Sequence, residues 1–135
     1  QAAILLEKLN IFPKEIEQRN LVANLYREKF ENLNIQCQYI PKGYKSVYAQ
    51  FSIILNSENQ RNLVQEALKK HGIPSVVYYV IPGHLQQGYK YLGYKKGDFP
   101  VSEDLSKRIL SLPMHPYLTS DDIEKVTNFI KSNLN

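Results

Sequence analysis

Three histidines, one cysteine and a crowd of tyrosines and lysines are the side chains of this 135-residue sequence best suited to chemistry. His84 stands out among them. It follows Pro82 and Gly83 at the end of a run rich in Val, Ile and Tyr, where stiff backbone holds a polar side chain at the rim of a sheet. His71 precedes Gly72 at the end of a helical pattern, where a cation complements the negative helix end, and that structural role explains it. His115 lies between Pro113 and Pro116 in a stretch forced to run extended, so packing or turn formation explains it as well as ligand contact does. Cys37 is alone, which excludes an internal disulfide framework and a multi-cysteine zinc site. A small buried hydrophobe in a reducing compartment is its simplest reading.

Tyr78, Tyr79, Tyr89, Tyr91 and Tyr94 crowd into one segment with Gln86, Gln87, Lys90, Lys95 and Lys96. Tyrosine offers a flat apolar face with a hydroxyl edge and lysine a point charge, a combination suited to a ring-bearing phosphorylated ligand or single-stranded nucleic acid. Aromatic packing on neighbouring helices is the plain alternative. Glu103 with Asp104, and Asp121 with Asp122, fall in helix first turns where capping accounts for them. No glycine-rich phosphate loop, paired metal-spaced histidines or Gly-x-Ser-x-Gly motif occurs. On residues alone the chain reads as a binding or accessory domain.

The elements that must position these groups follow from periodicity. Ala2, Leu5, Leu6, Leu9 and Phe12 mark one helical face. Pro13 then interrupts, and Ile16, Ala23, Tyr26, Phe30 and Leu33 mark a second helix. Ser46 to Leu55 alternates, with Val47, Ala49, Phe51, Ile53 and Leu55 on one side and Tyr48, Gln50 and Ser52 on the other, which predicts a half-buried strand. Ser57 stands three residues before Gln60 and opens a helix with Leu63, Val64, Ala67 and Leu68 inward, ending at Gly72. Ile73 to Ile81 predicts a second strand. Asp98 caps a helix that buries Val101, Leu105 and Ile109, and Thr119 opens a last helix that buries Ile123, Val126, Phe129 and Ile130. The sum is an α+β layer, a small sheet of two to three strands covered by helices on one side.

Composition sets the outer bounds. Hydrophobic residues at 43% and charged residues at 22% match a folding globular chain and remove support for disorder. The length fits one domain, 1–135, with a helical segment over 1–34 and a small α+β body over 46–135. A net charge of +4 favours anionic partners without choosing among them. No apolar run approaches the roughly 18 residues of a membrane span, so a soluble cytoplasmic protein without a membrane partner is expected. The chain opens Gln1-Ala2-Ala3 inside a helical pattern, as a fragment does; a processed or trimmed terminus is the alternative.

Several ordered motifs then point to a family. Tyr79-Val80-Ile81-Pro82-Gly83-His84-Leu85-Gln86, Tyr89, Leu92-Gly93-Tyr94, Gly97-Asp98-Phe99-Pro100-Val101-Ser102-Glu103 and Leu110-Ser111-Leu112-Pro113-Met114-His115-Pro116-Tyr117-Leu118 resemble the C-terminal portion of DegT/StrS-type nucleotide-sugar aminotransferases, which depend on pyridoxal phosphate. Gln1-Ala2-Ala3-Ile4-Leu5-Leu6 is similar to a helix after the middle of those enzymes, so the match spans essentially the whole chain. Val47-Tyr48-Ala49-Gln50-Phe51-Ser52 is similar to members acting on UDP-linked N-acetylated keto sugars.

The resemblance implies the small C-terminal domain of fold-type I transferases. It also implies transamination from glutamate to a nucleotide-linked keto sugar, UDP-linked by preference, in a homodimer with active sites at the subunit interface. The Schiff-base lysine of that family, the carboxylate pairing with the pyridinium nitrogen and the stacking aromatic all precede the region matching Gln1. This segment is therefore expected to hold no catalytic or cofactor-binding residue, to bind no pyridoxal phosphate alone and to be inactive by itself. The resemblance carries over substrate contact only, at Tyr79, His84 and Gln86. Val80 stands where the family usually has Pro and Gly83 where it usually has Leu, which predicts a looser turn under His84. The rival readings are a free-standing module for a nucleotide sugar or single-stranded nucleic acid and a non-catalytic interaction domain.

Overall fold

Local capping chemistry sets the ends of two helices. Ser57 accepts a hydrogen bond from the Gln60 N–H at 3.1 Å and opens α2 (Glu58–Lys70), which closes before Gly72 at a φ of +69°. Thr119 accepts from the Asp122 N–H at 3.2 Å while the Asp122 carboxylate accepts from the Thr119 N–H at 3.0 Å, so α4 (Ser120–Ser132) begins on a full capping box. Val64 and Leu68 on α2 and Ile123, Val126 and Ile130 on α4 are buried as the periodicity predicts, whereas Leu63, expected inward, is exposed.

The computed structural model describes residues 1–134. A three-stranded antiparallel sheet in the order β1-β2-β3 lies at the centre, with β1 at Gln36–Cys37, β2 at Phe51–Ile54 and β3 at Ile109–Leu112. Phe51 stands opposite Leu112 and Ile53 opposite Leu110, and all four are buried. On the alternate positions Ser52 and Ser111 face each other, their hydroxyls 2.8 Å apart, so each buried oxygen has a partner. Tyr26 and Phe30 of α1 (Ala2–Phe30) extend this core, with the Tyr26 ring stacked on Phe51 at 4.9 Å. The Tyr26 hydroxyl donates to the Pro113 carbonyl, and burial pushes its pKa up. Helix α4 packs on α1 and α2, and α2 on α3 (Pro100–Arg108). The α+β architecture agrees with the expectation.

Four local expectations are corrected. Pro13 does not interrupt α1, which runs through it as one 29-residue helix. Proline lacks the N–H that would bond the Leu9 carbonyl, and Leu9 and Phe12 lie on an exposed stretch where that oxygen can be solvated instead. Lys8 and Glu15 also pair across the proline, and the Tyr117 hydroxyl donates to the same carboxylate. The strand expected over 46–55 shrinks to Phe51–Ile54 because Tyr48 has a φ of +41° and turns inward, leaving Val47 and Ala49 outside.

Ile73 to Ile81 forms no strand beyond a single bridge between Val76 and Ser111. Pro74 has no N–H to offer the edge, and the third strand comes instead from Ile109–Leu112, where a helix end was expected. Asp98 does not cap α3. Its carboxylate accepts from the Lys95 N–H at 2.7 Å, Phe99 holds the cap position, Val101 is exposed and Ser106 turns inward.

Candidate functional site

A cleft of about 590 Å³ opens between the Tyr78 to Gly83 segment and the start of α3. Tyr78, Tyr79, Pro82 and Gly83 line one side, and Phe99, Pro100, Val101 and Leu105 the other. Such a largely apolar concavity with few polar groups suits an organic ligand. Tyr79 is exposed along it, its ring edge-on to Tyr78 at 5.7 Å.

His84 sits directly behind the Gly83 wall. The turn expected to be loose is closed: Gly83–Leu85 forms a single 3-10 turn in which the Leu85 N–H donates to the Pro82 carbonyl at 2.9 Å and the Gln86 N–H to the Gly83 carbonyl at 3.2 Å. The Gln86 side chain donates back to the Ile81 carbonyl at 3.3 Å, so it braces this turn. The His84 ring packs on Phe99 at 4.7 Å, and Phe99 meets Tyr94 edge-on at 5.0 Å.

Glu103 is what gathers these pieces. Its Oε1 faces His84 Nε2 at 3.0 Å and accepts the Gly97 N–H at 2.7 Å and the Phe99 N–H at 3.4 Å. Gly97 can aim its N–H there because it adopts a φ of +99°, which side-chain-bearing residues rarely take. The Gly97 N–H first, then His84 and the Phe99 N–H, hold the Glu103 carboxyl below the usual glutamate range. Sequence reasoning saw in Glu103 only a capping carboxylate. It does reach back to the cap N–H of Phe99, but its partners at residues 84 and 97 meet it only in three dimensions.

Of the three site candidates Tyr79 lines the cleft, whereas His84 does not line it and packs on the lining residue Phe99, and Gln86 sits in the turn that follows. The other candidates fall elsewhere. The His71 Nδ1 pairs with the Ala67 carbonyl at 2.8 Å and its ring packs on Phe129 at 4.0 Å, a structural setting. His115 accepts the Tyr117 N–H at 3.2 Å and shapes its own turn. Cys37 is half-buried on β1, and burial pushes its thiol pKa up, away from nucleophilic use. Tyr89 and Tyr91 are exposed on a 3-10 stretch at Gln87–Leu92.

The cleft lining includes no lysine. Among the described residues no cluster of metal-binding side chains occurs, and no helix is long and apolar enough to cross a membrane.

Comparison with known proteins gives these observations a frame. A UDP-2-acetamido-2-deoxy-3-oxo-D-glucuronate aminotransferase of Pseudomonas aeruginosa is 38% identical over 124 residues, covering 92% of this chain and 33% of the relative. A UDP-N-acetyl-3-dehydro-alpha-D-glucosamine 3-aminotransferase of Acidithiobacillus ferrooxidans is 36% identical over 134 residues, covering 99% of this chain and 35% of the relative. The crystal structure of a DegT DnrJ EryC1 StrS aminotransferase from Brucella abortus is 44% identical, with a TM-score of 0.83 over 98% of this chain and 34% of that one. The chain thus spans about a third of the length of the curated relatives it matches. The model of the DegT/DnrJ/EryC1/StrS aminotransferase family matches residues 1–131, and the chain belongs to that family.

Proposed function

We propose that this chain forms the substrate-facing wall of a pyridoxal-phosphate-dependent aminotransferase acting on a nucleotide-linked keto sugar, with glutamate as amino donor. Tyr79 and His84 are the substrate contacts and Gln86 braces the turn beneath them. The observation that carries the reading is the cleft itself: an apolar concavity walled in part by Tyr79, next to a histidine tied to a half-buried carboxylate. An apolar wall accepts the ring faces of a sugar or base, and a fixed imidazole offers one oriented hydrogen bond. The two curated relatives are named for UDP-linked 3-oxo or 3-dehydro sugars carrying an acetylated nitrogen, which favours a UDP sugar here. Pyridoxal phosphate supplies electron withdrawal from the amino-bearing carbon when bound, and its lysine is assigned to sequence outside this chain. A homodimer that completes each cleft from a second subunit is part of the same reading.

Equilibrium titration of the chain with UDP-N-acetylglucosamine tests this. Saturable binding, weakened by His84→Ala and by Tyr79→Ala, is expected. Binding of oligonucleotides but not the UDP sugar, falling steeply with salt, would overturn the reading in favour of nucleic acid. Turnover of glutamate and a UDP-linked keto sugar by this chain with added pyridoxal phosphate would overturn its assignment as a wall rather than a catalyst.

A further inference from the structure

We propose that Lys8, Glu15 and Tyr117 form an acid-releasable clasp that holds the N-terminal end of α1, residues 2–12, in line with the rest of the helix across Pro13. Residues 1–14 are all exposed, and Glu15 is the first buried side chain of the chain. No core therefore holds residues 2–12 in a helix, and an isolated helix of that length is marginal in water. Pro13 weakens it further, since it offers no N–H to the Leu9 carbonyl. The clasp spans that gap. The Lys8 ammonium donates to Glu15 Oε1 from seven residues before it, and the Tyr117 hydroxyl donates to the same oxygen from a passage 102 residues further along.

Tyr117 is 66% exposed, so its ring gains little from burial, yet its hydroxyl is committed to a carboxylate whose side chain is 8% exposed. Burying a carboxylate is costly unless its charge is answered, which ties the position of Glu15 to both donors. One turn later the Arg19 guanidinium donates to the Tyr48 carbonyl at 2.9 Å and to the Met114 carbonyl at 3.4 Å, so the helix from Arg19 onward is tied to the body without Glu15. Loss of the clasp therefore frees only what precedes Pro13. Lys8 and Arg19 from the helix and Tyr117 from the passage are the charged or titratable groups acting on Glu15. His115, its ring 6.3 Å from that of Tyr117, is the other titratable group of that passage. The bonds from Lys8 first and then Tyr117 hold the Glu15 carboxyl below the usual glutamate range, and the same bonds push the Lys8 ammonium and the Tyr117 phenol up. The clasp is thus closed above the ordinary glutamate value of about 4.3 and opens as pH falls through the lower folded-state value.

Carbon-13 α shifts of residues 5–12, followed in the whole chain from neutral pH into acid, read the clasp without any ligand. At neutral pH the wild type is expected to be helical there, Tyr117→Phe to lose part of the helical shift and Glu15→Ala about half of it or more, with residues 19–30 unmoved in each. On acidification the wild type should lose helix over 5–12 in a step centred below the ordinary glutamate value while β2 keeps its shifts. Glu15→Gln, with no carboxyl to titrate, should show no such step. Pro13→Ala restores an N–H for the Leu9 carbonyl, and in that background Glu15→Ala should cost less helix than it does beside the proline. Unchanged shifts over 5–12 in Glu15→Ala and Tyr117→Phe, an acid step that persists in Glu15→Gln, or equal losses with and without Pro13 would overturn the clasp. Loss that spreads to residues 19–30 would overturn it as well, because Glu15 would then support the body rather than the N-terminal end of α1.

Discussion

The sheet with its helices and the segment from Tyr78 to Glu103 solve opposite problems. In the first, Phe51, Ile53, Leu110, Ile123 and Ile130 are fully buried, and area removed from water supplies the stability. In the second, Tyr79, Val80, Ile81 and Val101 stay exposed, and shape comes from a few directional bonds that converge on Glu103. The difference teaches that the core is tolerant of local sequence detail so long as the pattern persists, whereas the cleft depends on single atoms. It also separates what holds the chain folded from what the fold presents.

The largest effect separating the regions is expected at Phe51→Ala, which removes a fully buried ring stacked on Tyr26. Chemical denaturation should show a loss of about 3 to 5 kcal/mol. A midpoint equal to wild type would mean the core does not rest on the sheet as described. Thr119→Ala, which breaks the capping box of α4, should lower stability by about 1 kcal/mol in the same experiment.

Acid should act on the cleft by a different route. Glu103 is held below its usual range, so its contribution is present above the ordinary glutamate pKa of about 4.3 and is lost as pH falls through the lower folded-state value. Amide exchange is then expected to show Gly97 and Phe99 losing protection on acidification before the β2 and β3 amides do. Simultaneous loss would merge the two regions into one unit. The smallest effect is expected at Tyr91→Ser. With Tyr91 80% exposed, global stability should move by less than about 0.5 kcal/mol.

The same contrast explains what the sequence made legible. The ends of α2 and α4 were readable because Ser57 and Thr119 meet their partners within one helical turn. The third strand was not, since Ile109-Leu110-Ser111-Leu112 directly follows a helix and only its pairing with β2 distinguishes strand from one more turn. Ile73 to Ile81 has strand-forming residues but Pro74 at its start, so composition and hydrogen-bond supply pointed in different directions. Tyr48 broke an alternation that looked continuous because a positive φ is invisible in hydropathy. Around the cleft, the turn that carries His84 was legible from Pro82-Gly83, while the contacts of Glu103 were hidden because they come from residues 84, 97 and 99.

Mapping of backbone amide shifts during titration with UDP-N-acetylglucosamine tests the central claim most directly. The account predicts saturable changes concentrated at residues 78–86 and 97–103, with α4 and the amides of β2 unmoved and the response reduced in His84→Ala. Changes confined to other surfaces, or none at saturating ligand, would contradict the assignment of this cleft to a nucleotide sugar.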